Sequence, residues 1–433
     1  MNTRIRYLLK ISLAIFFLLF ASLFTAAQIQ FEDWFENKTL RIDYFLSGNE
    51  ANQHIFLDEL KAEPYWSGPL NKTIDTLNLG SYKVDVWDIE TKKLLYSKGF
   101  CTLFQEWQTV HEASYLDKSF EQVTRIPFPK HKVLVRFSYR DKSGKFEKLF
   151  EFDVDPSDMN IHKHDVEKYK TTQIVNNGNY SNKLDIAFIA EGYLPEQMDK
   201  FIGDVKRFTG YLFSQEPFSG LKTNINIWAI ESPSKHTGPT NPGKQIWNTT
   251  AVQSSFYTFG IDRYLTTTKF KRVMDIAANA PADIIYVIVN TKEYGGGGIY
   301  NHYNVCTSNH AFSNEVFIHE LGHGLAGLGD EYYDSDVAYQ DFYPFDVEPW
   351  EPNITSLVNF SMKWQDMVLP KTLIPTPVTA ENSTTIGVYE GAGYTSKRVY
   401  RPYIDCRMKS NSAPSFCPVC KRSIERVVYS FTD

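Results

Sequence analysis

The residues whose types and spacing could do chemistry are His319, Glu320 and His323. They open the run His319-Glu320-Leu321-Gly322-His323-Gly324-Leu325-Ala326-Gly327-Leu328-Gly329-Asp330-Glu331-Tyr332. On an α-helix each residue turns about 100°, so positions i and i+4 share a face. Two imidazoles at 319 and 323 can therefore aim at one metal ion. Glu320 follows the first, where a carboxylate can take a proton from a water instead of ligating. Hydrolysis of a peptide bond assisted by zinc needs that combination. An ordinary amphipathic helix with two half-buried histidines would satisfy the spacing alone, but the flanks argue against it. Val316, Phe317 and Ile318 supply apolar bulk ahead of His319, and Ser313 or Asn314 can cap the helix start. Gly324 or Gly327 can end the helix in a left-handed conformation, and the turn can bring Asp330-Glu331 back towards the metal.

A catalytic zinc takes three protein ligands and keeps one position open. In metzincins the third lies six residues beyond the second histidine, which here is Gly329. Asp330, one residue further, is the leading candidate, and Glu331 is second. Glu348 and Glu351 stand where gluzincins take a glutamate from a second helix, but Pro349 and Pro352 disfavour a helix there. Asp334 and Asp336 read as solvated turn residues, with a calcium site as the other reading.

At these residues the chain resembles the IgA-peptidase family of metzincin-like zinc metallopeptidases. The resemblance also takes in Ile186 to Tyr193, Tyr389-Glu-Gly-Ala-Gly-Tyr394, Tyr400-Arg-Pro402, Asp405-Cys-Arg-Met408 and Phe416-Cys-Pro-Val-Cys420, in the family's order. It departs at Glu191, where an aspartate is expected. The resemblance implies a secreted or surface zinc endopeptidase without implying that this chain cuts IgA. It also implies that Met408 is the Met-turn methionine, packing beneath the zinc. Some metzincins carry a tyrosine two residues after that methionine to assist the oxyanion. Here the position is Ser410, so that role has no assigned residue.

The elements that must position these groups follow in chain order. Arg4, Arg6 and Lys10, the apolar run Ile11 to Phe24 and Thr25-Ala26-Ala27 form a signal-peptide pattern over residues 1–27. An uncleaved membrane anchor is the runner-up, since the apolar run is close to spanning length. No other segment is apolar for long enough to cross a membrane. The mature protein is expected to be exported, secreted or held at the surface or in the periplasm. The net charge of −6, with no basic block, points away from nucleic acid as a partner. A protein or glycoprotein substrate is expected instead. The aromatic content of 15% favours sheet-rich structure with large cores.

The expected fold class is α+β and multidomain: a β-sandwich over residues 28–160, then a metzincin-like α/β zinc-peptidase domain over 161–433. Strands are read over Thr39–Leu46, Tyr82–Trp87, Phe120–Ile126, Lys132–Tyr139 and Lys148–Val154, with Asp141-Lys-Ser-Gly144 as a hairpin turn. The isolated His54, His111 and His131 suggest no chemistry. Asp155 to Asn182 reads as a linker. Buried strands follow at Lys183–Ala190, Asn224–Ile230 and Asp283–Val289. They alternate with helices from Pro195 and over Thr267–Ala278, which indicates an α/β layer. Gly295 to Gly298 is either a flexible surface turn or a place where a substrate comes close, since the strand before a metzincin active-site helix lies at the sheet edge. His302 and His310 lie near the motif in sequence but are not taken as ligands. From Tyr332 to Val388 the chain is loop-rich, and Lys421 to Tyr429 reads as a closing helix.

Five cysteines, Cys101, Cys306, Cys406, Cys417 and Cys420, remain in an exported chain, where disulfides are the default. The clustering of the last three suggests a bridge stapling the Met-turn to the C-terminal helix. Cys417-Pro-Val-Cys420 alone could be a redox or zinc motif. It lacks a thioredoxin-like context, and a second zinc needs a fourth ligand that the sequence does not name. The function expected is a Zn²⁺ endopeptidase with His319, His323 and Asp330 on the metal and Glu320 as base. A surface glycan- or protein-binding adhesion protein with a non-catalytic zinc site is the alternative.

Overall fold

The computed structural model describes residues 29–163, 166–333 and 343–432. The leader expected over 1–27, and Asp334 and Asp336, lie outside the described residues. The alternating N-terminal segments form β1 (Phe35–Gly48), β2 (Gln53–Glu63), β3 (Tyr82–Asp88), β4 (Leu94–Phe100), β5 (Lys118–Pro129), β6 (Val133–Arg140), β7 (Phe146–Val154) and β8 (His162–Lys163). They build two four-stranded sheets, ordered β5-β1-β2-β8 and β4-β3-β6-β7. Every pairing is antiparallel except the two-residue contact of β2 with β8. Tyr44 of β1 and Phe137 of β6 join the sheets, with ring centroids 5.0 Å apart. The expected turn at Asp141 is present, its carboxylate accepting the Ser143 and Lys145 amides. Strands β2 and β4 were not expected. The outer part of β2 is largely exposed, so it has no clean apolar alternation to read.

The rest of the chain is built on a six-stranded mixed sheet. Its strands are β9 (Lys170–Val175), β10 (Leu184–Glu191), β11 (Ile225–Glu231), β12 (Ile284–Val289), β13 (Gly296–Gly298) and β14 (Asn304–Thr307), ordered β13-β14-β12-β10-β11-β9. The inner four are parallel and the edges β13 and β9 antiparallel. Every residue of β10 and β12 is buried, as expected of parallel strands covered on both faces, and this is why β12, and β10 from Ile186 to Ala190, read as apolar runs. The expected linker instead contains β9. Its lysine, threonine and glutamine residues suit a half-exposed edge and give no apolar signal.

Helix α1 (Met198–Leu212) packs on β10 and β11, and α2 (Phe270–Ala277) lies between this sheet and β5. Helix α3 (Ser313–Ala326) carries the histidine motif, and α4 (Pro418–Phe431) closes the chain. On α3, Phe317 is the anchor: its ring lies 4.8 Å from both Phe208 of α1 and Tyr286 of β12, and 5.9 Å from Phe188 of β10. Burying Phe317, Leu321 and Leu325 on that side leaves Glu320 and His323 beside the edge strand β13. The hairpin β15 (Tyr389–Ala392) with β16 (Thr395–Arg401) follows the loop-rich segment. No helix among the described residues is long and apolar enough to cross a membrane.

The two parts share a buried interface. Arg41 of β1, fully buried, pairs with Asp43 at 2.6 Å and reaches across to Asp275 of α2, also at 2.6 Å. His302 stacks on Phe270 with centroids 3.5 Å apart and contacts Gln122 Oε1 of β5 at 3.0 Å. Cys101 N donates to the Tyr300 carbonyl at 2.9 Å.

Candidate metal centre

The end of α3 sets the site. Gly327 has φ +60°, a left-handed conformation suited to glycine, and a Cβ there would also meet the Trp350 ring at 2.7 Å. The chain therefore reverses directly after the helix. Neither expected cap is used at the other end: Ser313 Oγ accepts the His310 amide instead.

The reversal brings Asp330 onto the histidines. His319 Nε2 and His323 Nε2 are 3.0 Å apart, and Asp330 Oδ1 lies 3.1 Å from the first and 3.2 Å from the second. The other ring nitrogens are committed: His319 Nδ1 donates to the Arg407 carbonyl at 2.9 Å, and His323 Nδ1 to the Leu328 carbonyl at 2.5 Å. Both rings thus turn Nε2 lone pairs towards one point, the usual way a ligating histidine is oriented. Asp330 Oδ2 accepts the Tyr394 hydroxyl at 2.5 Å, while the buried Oδ1 has, among the described residues, no hydrogen-bond partner besides the two facing histidine nitrogens. A tetrahedral zinc with ligand distances near 2.1 Å would separate such atoms by about 3.4 Å, so the triangle is within a few tenths of an ångström of a ligand set.

The electrostatics favour a cation at that point. Burial disfavours charge on His323, yet Asp330 more than offsets it and brings the imidazole up to about 9. Burial likewise opposes the Asp330 carboxylate, but His323 and His319 hold it well below the ordinary range. Glu320 is raised above the usual carboxylate range by burial, with the two histidines opposing and Asp330 reinforcing the shift. A neighbouring carboxyl with raised basicity suits proton transfer.

Other expectations fall elsewhere. Glu331, the second choice as ligand, faces away, towards Cys420 Sγ at 3.2 Å. Glu351 accepts the Tyr343 hydroxyl, and Glu348 the Ser356 hydroxyl and Asn359 amide, so neither stands at the histidines. His302 is in the interface, and His310 Nδ1 accepts the Phe312 amide. Glu191 binds the loop after β11, accepting from Thr250, Val252 and Ser254, which assigns it a structural task. Met408 is fully buried with Sδ against Gly322, under the turn between the two histidines.

The glycine run lies beside the motif. It forms β13, and β13 rather than β14 is the sheet edge. A Cβ on Gly298 would sit 2.3 Å from the Glu320 carbonyl, so only glycine lets strand and helix approach this closely. Its outer side is already engaged at Gly296, whose carbonyl accepts the Leu265 amide at 3.3 Å. The groups missed by sequence reasoning are Tyr394 and the carbonyls of Leu328 and Arg407. Tyr394 stood inside a quoted motif, but its partner comes from 64 residues away.

A cleft of about 520 Å³ opens over the site. Tyr82, Glu106 and Arg140 from the N-terminal sheets and their connections line it together with His319, Glu320 and His323. The N-terminal part thus forms one wall of the site.

The family description IgA Peptidase M64 matches residues 172–385 and 378–428, and Peptidase M64 N-terminus matches residues 30–151. No curated protein matches the chain. A metal-fitting constellation at the heart of a match covering most of its length has one plain meaning: this chain is a metallopeptidase of the IgA peptidase M64 family.

Proposed function

We propose that the protein is an exported zinc endopeptidase in which His319, His323 and Asp330 hold Zn²⁺ and Glu320 is the general base. The observation that carries this is the convergence of two imidazole nitrogens and a carboxylate oxygen with no other partner among the described residues, with Glu320 next to them in the chain. Zinc, when bound, supplies a Lewis acid that polarises a carbonyl and acidifies water. Glu320 takes the proton of the attacking water and delivers it to the leaving amine. The Arg407 and Leu328 carbonyls fix the imidazole tautomers, and Tyr394 holds Asp330 so that Oδ1 faces the histidines. A non-catalytic zinc in an adhesion protein has no use for a half-buried base beside the metal, so the peptidase reading is preferred.

The same reading takes residues 1–27 as a signal peptide and residues 28–160, which carry all of the two N-terminal sheets except β8, as a β-sandwich. Residues 161–433 are taken as a metzincin-like domain, supported by the motif helix, the turn to Asp330 and the methionine beneath. Protein or glycoprotein is the substrate class. The test is cleavage of a denatured protein mixture by the mature chain, with chelator and after zinc is restored. Cleavage lost to chelator and regained with zinc is expected. Cleavage that persists in chelator would remove the zinc mechanism.

A further inference from the structure

Beneath the first site lies a second group of ligating atoms. Glu331, Cys406, Cys417 and Cys420 come together from three separate stretches of chain, and one ligand atom of each lies within 4.8 Å of all the others. All four residues are buried, three of them completely. Cys406 Sγ and Cys420 Sγ are 3.8 Å apart, and Cys420 Sγ is 3.2 Å from Glu331 Oε1. The expected bridge is not formed: every cysteine is free, and a disulfide would need about 2.05 Å. The 3.8 Å separation is instead the edge of a zinc tetrahedron, since two sulfurs each ~2.3 Å from zinc stand about 3.8 Å apart.

The surroundings are those of a ligand set. The Cys417 amide donates to Cys406 Sγ at 3.2 Å, a bond that favours a thiolate. Asn353 Nδ2 fixes Glu331 Oε1 at 2.9 Å, while the buried Oε2 accepts no hydrogen bond among the described residues. A completely buried carboxylate left in that condition is costly unless a cation or a proton answers it, and Arg401, which acts on it electrostatically, forms no ion pair with it among the described residues. A disulfide between any two of these cysteines would leave the third thiol and the carboxylate unanswered. Only a metal uses all four groups.

We infer that Glu331, Cys406, Cys417 and Cys420 bind a second, structural zinc ion. Four protein ligands leave no open position, which marks the site as structural rather than catalytic. Three thiolates select zinc over the hard cations. The ion would tie the turn after α3 to the Met408 segment and to the first turn of α4. Glu331 adjoins Asp330, and its amide donates to the Met408 carbonyl at 2.9 Å, so this clamp would hold Asp330 in place for the histidines.

The experiment is cobalt substitution of the full mature chain, with metal counting and intact-mass measurement of the zinc form. The expected result is two metal equivalents and an intense thiolate-to-cobalt charge-transfer band in the near ultraviolet. The first site has no sulfur ligand and cannot give that band. A His319→Ala/His323→Ala variant should lose one equivalent and keep the band, which separates failure of the first site from failure of the second. The wild-type readout needs no cysteine variant to fold. One equivalent with no such band would overturn the inference, whether the chain is lighter by two hydrogens, as a disulfide requires, or retains three titratable thiols in this cluster.

Discussion

The Tyr394 hydroxyl donates to Asp330 Oδ2 at 2.5 Å, and this leaves Oδ1 as the oxygen facing both histidines. The tyrosine reaches the site because the β15–β16 turn is pinned to the same segment, with Gly393 N donating to the Asp330 carbonyl at 2.9 Å and Tyr394 N to that of Tyr332 at 3.1 Å. Partners that orient a ligand typically contribute 10–100-fold in metal affinity. Tyr394→Phe should therefore weaken zinc binding at the histidine site by roughly that factor, read by chelator competition, while turnover recovers when zinc is in excess. Unchanged affinity would show that the hydroxyl does not orient Asp330.

Removing the base should separate metal from turnover. Glu320→Gln is nearly isosteric and touches no metal-facing atom of the histidines or Asp330, so zinc content should hold. Turnover should fall by about 10²–10⁴-fold, the usual worth of a positioned general base. His323→Ala should lose both zinc at this site and activity. A glutamine variant as active as the parent would sink the assignment of Glu320, and full zinc retention in the alanine variant would sink the ligand set.

The Arg41 network should be needed for stability. Arg41 bonds Asp43 through Nε at 2.6 Å and Nη2 at 2.9 Å, and Asp275 through Nη1 at 2.6 Å, with Glu63 at 3.4 Å. Arg41→Met would leave buried Asp43 with only Lys61, at 3.4 Å, and take the guanidinium from Glu63 and Asp275; breaking a buried pair in this way typically costs about 3–5 kcal/mol. Because Asp275 belongs to α2, the loss should appear in denaturant melts followed from either side of the interface. A shift under about 1 kcal/mol would mean that the carboxylates find another partner or accept protons.

His302 should make the fold acid-sensitive. It is buried between Phe270 and Gln122, and desolvation alone depresses its imidazole to about 3 from an ordinary 6.5. Below about 6.5 the unfolded chain takes up a proton at this position that the folded chain refuses until pH 3. Stability from this group is therefore complete above about 6.5 and declines as pH falls from there towards about 3, by up to about 1.4 kcal/mol per unit. His302→Gln should flatten this part of the slope, whatever it does to absolute stability. Metal release on acidification affects parent and variant alike, so the comparison of slopes isolates the histidine; identical slopes would contradict the assignment.

Much of the site was legible because it is local. His319, Glu320 and His323 lie within five residues, and helical geometry alone places the two imidazoles together. Asp330 followed from the glycines that end the helix, since Gly327 takes the left-handed conformation a reversal needs. The buried strands β10 and β12 were legible for a related reason: burial on both faces leaves a run of apolar residues, Ile186–Ala190 in β10 and all of β12. Strand β9 and the exposed part of β2 were not, because an edge or an open face asks for no apolar residue.

What only the tertiary structure decided depends on contacts far apart in the chain. Sequence proximity suggested Glu331 as a partner for the histidines, yet backbone direction alternates along an extended turn, and its carboxylate points to Cys420, 89 residues on. The three clustered cysteines looked like a bridge. Their sulfurs stand too far apart for a bond and close enough to share an ion, which is a matter of distance that spacing along a chain does not encode. Nor could the alternating N-terminal strands reveal that Tyr82 and Arg140 line the cleft over the two histidines. Their residue types fix which face is buried, but which surface they meet is settled by the packing of the two parts through Arg41 and His302.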